Sequence, residues 1–296
     1  MTKKRMRASR LYRLKKPPPM RLTNRDIETV KAINDFRVMR QDQAERLLYP
    51  SKNTAQRRLW LLWQHHYLKR TFLPVITGLQ TSPTLYLLDG RGVELLQSNY
   101  DYTVEQLRYS RKKQVSSRFL EHTLGLAEIR LSVELSCQHN QFAISEWQDE
   151  KKIKSNYDRV DLRGRRAVAI LPDAYFKVQI NDQDKSAVYL HFFVEYDRGG
   201  EQLSYFRRKI QAYNIYFQSG KCVDRYGTNR IRVLTITEGG VTRKGRGRHK
   251  SVQDIAKDSR AKEWFWFTSL EDVIKEDFLT ASIWEQTHDD KLRALI

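Results

Sequence analysis

The sequence predicts a mixed α/β protein of two domains. Three observations carry that reading. Residues 22–63 show apolar positions at helical spacing, and short strand-like runs follow. Residues 171–197 hold two runs rich in aromatic and β-branched residues, LPDAYFKVQI and VYLHFFVEYDRGG, around the polar segment NDQDKSA. The segment after them, EQLSYFRRKIQAYNIYF, returns to helical spacing through Leu203, Phe206, Ile210 and Tyr213.

Composition narrows the function. The chain has 296 residues, with 15 Tyr, 12 Phe and 6 Trp, enough for two modest cores. Its net charge is +19, which points to a polyanionic partner, most simply nucleic acid. The two cysteines, Cys137 and Cys222, have neither metal-site nor disulfide-framework spacing and are expected as free thiols. No apolar run approaches a membrane span, and the basic N-terminus lacks the apolar stretch of a signal peptide. A cytoplasmic protein is expected.

In chain order, residues 1–20 are expected as a basic tail, disordered on its own. Lys3, Lys4, Arg5, Arg7, Arg10, Arg13, Lys15 and Lys16 occur there without an acid, and Pro17, Pro18 and Pro19 stiffen its exit. The tail suits phosphate contacts. Leu11, Tyr12 and Leu14 suggest that part of it docks on the body.

Residues 21–98 read as a winged-helix DNA-binding domain. Thr23 is placed to cap a first helix, with Asp26 in its first turn and Ile27, Val30, Ile33 and Phe36 as its apolar stripe. A second helix covers 40–48. Pro50 and Ser51 break it, and Ser51 or Asn53 caps a third helix running to Trp63. Two strands, near 67–70 and 85–88, make the wing. Three short helices and a hairpin in this order place the third helix in the major groove, with its N-terminal side chains outward. Lys52, Asn53, Gln56 and Arg57 are the expected base or phosphate contacts, Arg58 can take either role, and Lys69 and Arg70 on the wing add charge. A short helix follows Gly90. Residues 99–118 read as a basic linker, or as a helix lying across the DNA backbone.

Residues 119–296 form the second domain. Phe119, Leu120, Leu124, Ala127, Leu131 and Leu135 predict a helix over 119–137, with Glu121, His122 and Glu128 on or beside its apolar face. A strand spans 142–147, and residues 150–154 continue it in alternating fashion. A polar loop covers 157–166. The strand pair and helix described first come next, then a buried strand at 231–237, a basic loop at 243–250 with Arg246 and Arg248, a strand at 265–267 and a closing helix at 270–278.

Asp173 opens the first strand of the pair, and Glu195 and Asp197 share one face near the end of the second. Carboxylates at the end of a buried strand need a cation, a basic partner or water. Together they suit Mg²⁺ or Mn²⁺, with Glu121 as a further ligand. The alternative is a set of ion pairs to Arg198 or Arg207.

The order α-β-β-β-α-β resembles the core of PD-(D/E)xK nucleases. That resemblance matches Asp173 to the acid after proline and Glu195 to the middle acid. Asp197 stands where the lysine is expected. The helix carrying Lys209, Gln211 and Tyr213 looks like the Q/K-and-Tyr helix of that superfamily, so Lys209 is the candidate replacement. The implied fold is restriction-endonuclease-like, with Asp173, Glu195, Asp197 and Lys209 as catalytic candidates.

Over residues 20–240 the chain resembles the replication-relaxation family. The resemblance is carried by Leu22 to Asp26, Arg57-Arg58-Leu59, Tyr67-Leu68, Tyr86 to Gly92, Glu121-His122, Pro172-Asp173-Ala174, Glu195 to Gly199, and Lys209 with Gln211 and Tyr213. It implies a DNA-binding protein of plasmid or mobile-element replication or transfer, with other proteins of the same element as partners. A nuclease-like domain that binds without cutting and a metal-dependent endonuclease or nickase remain the two alternatives. A winged-helix repressor is a third, and a homodimer is an alternative to the monomer.

Overall fold

The computed structural model describes residues 11–73, 82–108, 117–162, 167–181, 187–200, 202–239, 247–257, 259, 262–287 and 291–296. The chain is an α/β protein that divides into two compact units, Met1–Leu131 and Ser132–Ile296.

In the first unit, α1 (Asn24–Phe36) begins at a reciprocal cap. Asp26 donates its backbone N–H to the Thr23 hydroxyl, and its carboxylate accepts from the Thr23 N–H. The stripe Val30, Ile33 and Phe36 is buried, as the spacing predicts. A two-residue strand the sequence did not announce, β1 (Met39–Arg40), leads into α2 (Gln41–Leu48). Ser51 caps α3 (Lys52–Gln64) by accepting from the Thr54 N–H. β2 (Leu68–Phe72) and β3 (Thr84–Leu88) pair antiparallel from Leu68↔Leu88 to Phe72↔Thr84, and β1 adds to the other edge of β3. The connection over 74–81 lies outside the described residues.

α4 (Gly90–Tyr100) packs so closely that a Cβ at Gly92 would lie 2.4 Å from the Tyr67 carbonyl oxygen. After it, residues 101–108 form no helix, against one of the two readings of that stretch. They fold back on α1 instead: the Tyr102 hydroxyl donates to Asp35, and the Arg108 N–H donates to Asn34. Residues 109–116 lie outside the described set. α5 (Ser117–Asn140) contributes to both units. Its Glu128 is buried and accepts from Arg40 at 2.8 Å, Gln43 at 2.7 Å and Arg46, which pins α2.

The second unit is built on a seven-stranded sheet. β4 (Ala143–Asp149) is followed by α6 (Glu150–Ser155). The alternation at 150–154 predicted more strand there, but the Asp149 carboxylate accepts from the Lys152 N–H and caps a helical turn. A small ladder, β5 (Arg159–Val160) with β6 (Val168–Ala169), begins inside the stretch 157–166 read as a polar loop. β7 (Ala174–Asn181) and β8 (Ala187–Asp197) form the antiparallel pair, and 182–186 lies outside the described residues. α7 (Leu203–Gln218) and α8 (Lys221–Tyr226) lead to β9 (Ile231–Thr237), parallel to β8. α9 (Arg248–Ala256) and a 3₁₀ turn (Lys262–Trp264) precede β10 (Phe265–Ser269), parallel to β9. The closing helix α10 (Leu270–Lys275) stops short of Phe278. β11 (Trp284–Gln286) and β12 (Leu292–Arg293) complete the order β12-β11-β10-β9-β8-β7-β4.

β8 is therefore an interior strand, and the later part of its apolar run is the buried part: Phe192, Phe193 and Val194 are wholly buried, whereas Tyr189 is exposed. On the Phe193 face lie Phe206, Ile210, Tyr213 and Phe217 of α7 and Val252 and Ala256 of α9. Leu203, expected in that stripe, is exposed. Burying each large side chain contributes about 1.5–3 kcal/mol, and four of them from α7 lie on this one face. Packing therefore sets the rotation of α7, and with it the direction of Lys209.

Candidate functional site

In the first unit, α3 divides into two halves. Ala55, Leu59 and the run from Leu61 through Gln64 are buried, whereas Lys52, Asn53, Gln56 and Arg57 are exposed at the N-terminal half. The structure thus groups four of the predicted contacts on one exposed face. Arg58 is committed elsewhere. Its Nε donates to Asp26 at 2.8 Å and its Nη2 to the Arg21 carbonyl at 3.1 Å, and the fully buried Asp26 holds its guanidinium above the usual range.

Arg70 is also packed rather than presented. Its guanidinium lies 4.1 Å from the Trp63 ring centroid and donates to the Tyr86 hydroxyl at 2.9 Å. Lys69 is half-buried, and burial pulls its pKa down against the opposing Asp89. Arg246 lies outside the described residues.

Arg25, for which the sequence offered no contact role, joins Arg57. Arg21, Asn24, Arg25, Thr54 and Arg57 line an open cleft of about 690 Å³ beside the starts of α1 and α3. A sequence signal for it existed. Arg25 sits in the first turn of α1, where the helix dipole favours acids, so a base there is an anomaly.

The tail also docks, as Leu11, Tyr12 and Leu14 suggested, but through Arg13. Its guanidinium donates to the Trp63 carbonyl at 2.6 Å, the Leu68 carbonyl at 2.8 Å and Asp89 at 2.6 Å. The Leu14 N–H donates to Gln64 at 2.8 Å.

In the second unit, β7 and β8 bring Asp173 and Glu195 together. Asp173 accepts from the Tyr196 N–H at 2.8 Å. Glu195 accepts from Lys209 Nζ at 2.8 Å and from the Tyr213 hydroxyl at 2.5 Å. Lys209 and Tyr213 are four residues apart and so share one face of α7. Glu195 is 4% exposed, and a carboxylate that deep costs several kcal/mol without partners. Its pKa is pushed up to about 7, chiefly by burial, with Lys209 opposing and Asp173 adding to the rise.

Asp197 faces the same side but serves a different partner. It accepts from Arg248 Nε at 2.7 Å and from the Gly199 N–H at 2.7 Å, and Arg248 Nη2 lies 2.6 Å from the same oxygen as Nε, as an ion-pair contact. Arg248, expected on DNA from its basic loop, is thus buried at the start of α9 on this carboxylate. An acid at 197 and a base 51 residues later give no local sequence signal of pairing.

Asp173 and Glu195 belong to the second unit, whereas Glu121 does not. It lies on α5 in the first unit, and among the described residues no three His, Cys, Asp or Glu side chains form a metal-ligand group. Asp173 and Glu195 by themselves still fit a hard divalent cation. Mg²⁺ commonly takes one or two carboxylates and keeps its waters, and a cation there would offset both the burial and the Asp173 repulsion that raise the Glu195 pKa.

A family model described as replication-relaxation matches residues 30–231. No curated protein and no solved structure matches the chain. Among the described residues no helix is long and apolar enough to cross a membrane.

Proposed function

The chain belongs to the replication-relaxation family, which suggests a role in plasmid or mobile-element replication or relaxation, and from that premise we propose that it binds duplex DNA through its first unit, used as a winged helix. The observation that carries this is the division of α3, with a buried C-terminal half and Lys52, Asn53, Gln56 and Arg57 exposed at the N-terminal half. Helices that enter the major groove present their N-terminal residues to base edges. The cleft of Arg21, Arg25 and Arg57 adds phosphate contacts at the same end. The test is a mobility-shift titration at several salt concentrations. Each neutralised phosphate contributes about 0.9 to the log–log salt slope, so Arg25→Ala/Arg57→Ala is expected to lower that slope by about 2 and to weaken binding to every duplex sequence. Unchanged affinity and slope sink the reading.

A second reading rests on a separate observation, the contact of Lys209 with Glu195 beside Asp173. It makes the second unit a nuclease-like domain that acts on phosphodiesters. Asp173 and Glu195 would hold Mg²⁺ or Mn²⁺, which when bound supplies charge neutralisation at a phosphoryl oxygen and a more acidic water. Lys209, delivered from α7, holds a proton at Nζ, and Tyr213 orients the Glu195 carboxylate. Cleavage of supercoiled, nicked and branched DNA with Mn²⁺ is the assay, with Asp173→Ala and Glu195→Ala as controls. Cleavage that both substitutions abolish supports an enzyme. Tight binding without cleavage leaves a binding protein on a nuclease-like scaffold.

A further inference from the structure

Beside the Glu195–Lys209 pair is a cavity of about 180 Å³. Val168, Ala169 and Ile170 form one wall, and Ala212 lines the α7 side. Tyr205 and Arg208 line it from the first turns of α7; Tyr205 is 51% exposed, so its ring stands at the solvent end. Besides Tyr205 and Arg208, the polar groups in the lining are Glu195 and Tyr213, both buried, and Lys209, whose Nζ sits 5.2 Å from the Tyr205 ring centroid.

Size and chemistry together restrict the occupant. Drug-sized ligands fill roughly 300–1,000 Å³, so this cavity takes one small ring rather than a larger molecule. Its small aliphatic walls suit a flat, partly apolar body, and an inorganic anion would leave them unmatched. The exposed tyrosine supplies a stacking face, and the guanidinium beside it suits a phosphate. A base stacked within a duplex cannot reach such a cavity, whereas an unpaired or extruded one can.

We propose that this cavity seats one unpaired nucleobase of a DNA strand, its ring against Tyr205 and its phosphate on Arg208. The inference rests on the DNA-binding reading above and deepens it: the first unit grips duplex, and the second recognises a nucleotide released from the stack. The substrate class is then duplex DNA carrying a bulged, flapped or otherwise single-stranded nucleotide.

The test uses the full chain and two probes, a short duplex with one bulged 2-aminopurine and the same duplex with that base paired. The wild type is expected to bind the bulged probe roughly fivefold to a hundredfold tighter, the range of one base–aromatic stack, and to quench its fluorescence. Tyr205→Ala should abolish the preference and the quenching. Tyr205→Phe should keep both, and Ala169→Met, which narrows the cavity, should lose both. All three should bind the paired probe as the wild type does. Equal affinity of the wild type for the two probes overturns the inference while leaving duplex binding standing, and so does a preference that survives Tyr205→Ala. Failure to bind either probe overturns both readings.

Discussion

Arg248→Ala tests whether the Asp197 pair is structural. The two side chains are 7% and 4% exposed, and the guanidinium makes two contacts of 2.7 and 2.6 Å to one carboxylate oxygen. Removing one member of a buried pair costs about 3–5 kcal/mol, because the other charge is left in low dielectric. The Gly199 N–H still donates to the second oxygen, which places the expected loss near the lower end, about 3 kcal/mol. For a unit the size of residues 132–296, that corresponds to a fall in Tm of about 6–12 °C. Calorimetry on the full chain reads it directly. Asp197→Asn/Arg248→Met is neutral and still accepts from Gly199, so it should recover most of the loss. Arg198→Ala is the reference, because its pair with Glu238 is open to solvent and worth at most about 1 kcal/mol. If Arg248→Ala costs no more than Arg198→Ala, the burial argument is wrong and the basic-loop reading of Arg248 as a DNA contact returns.

Three further outcomes are expected. Glu195 has a folded-state pKa of about 7 against its usual 4.5, so between those values the folded chain holds a proton that the unfolded chain has lost, and its contribution to stability falls as pH rises through that window; Glu195→Gln should flatten this slope in urea midpoints taken at pH 5 and pH 7.5, and an unaltered slope refutes the assignment. Arg13→Ala removes charged hydrogen bonds to Trp63, Leu68 and Asp89, and should speed tryptic cleavage after Lys15 by about tenfold or more, whereas an unchanged rate means the segment is held by something else. Gly92→Ala drives a Cβ to 2.4 Å from a backbone oxygen and should cost about 1–3 kcal/mol by thermal melting, while Gly90→Ala, with nothing within 4 Å, should cost nothing.

Much of this was legible in the sequence where a local rule decides structure. The Thr23–Asp26 cap, the stripe of α1 and the start of α3 follow from residues three or four apart, and all are found. The buried later half of β8 and the face of α7 followed from periodicity, and the resemblance to PD-(D/E)xK nucleases nominated Asp173, Glu195 and Lys209 together. What failed depends on long-range pairing. Whether Arg58, Arg70 and Arg248 meet solvent or a buried partner is decided by Asp26, Trp63 and Asp197, which periodicity does not connect to them. The strand expected at 150–154 failed for a local reason of another kind, because alternation there competes with the helix cap at Asp149.

The Arg13 anchor bears on how the chain is made. Its three partners lie 50, 55 and 76 positions downstream, so this segment cannot complete its contacts until Asp89 has followed. Contacts of that separation form after the local helices and the β2–β3 hairpin, since the loop entropy must be met first. Docking of this segment is thus a late folding event, and the same contacts are among the first to open. A tag fused ahead of it would bear on that docking step rather than on the local helices and the β2–β3 pair.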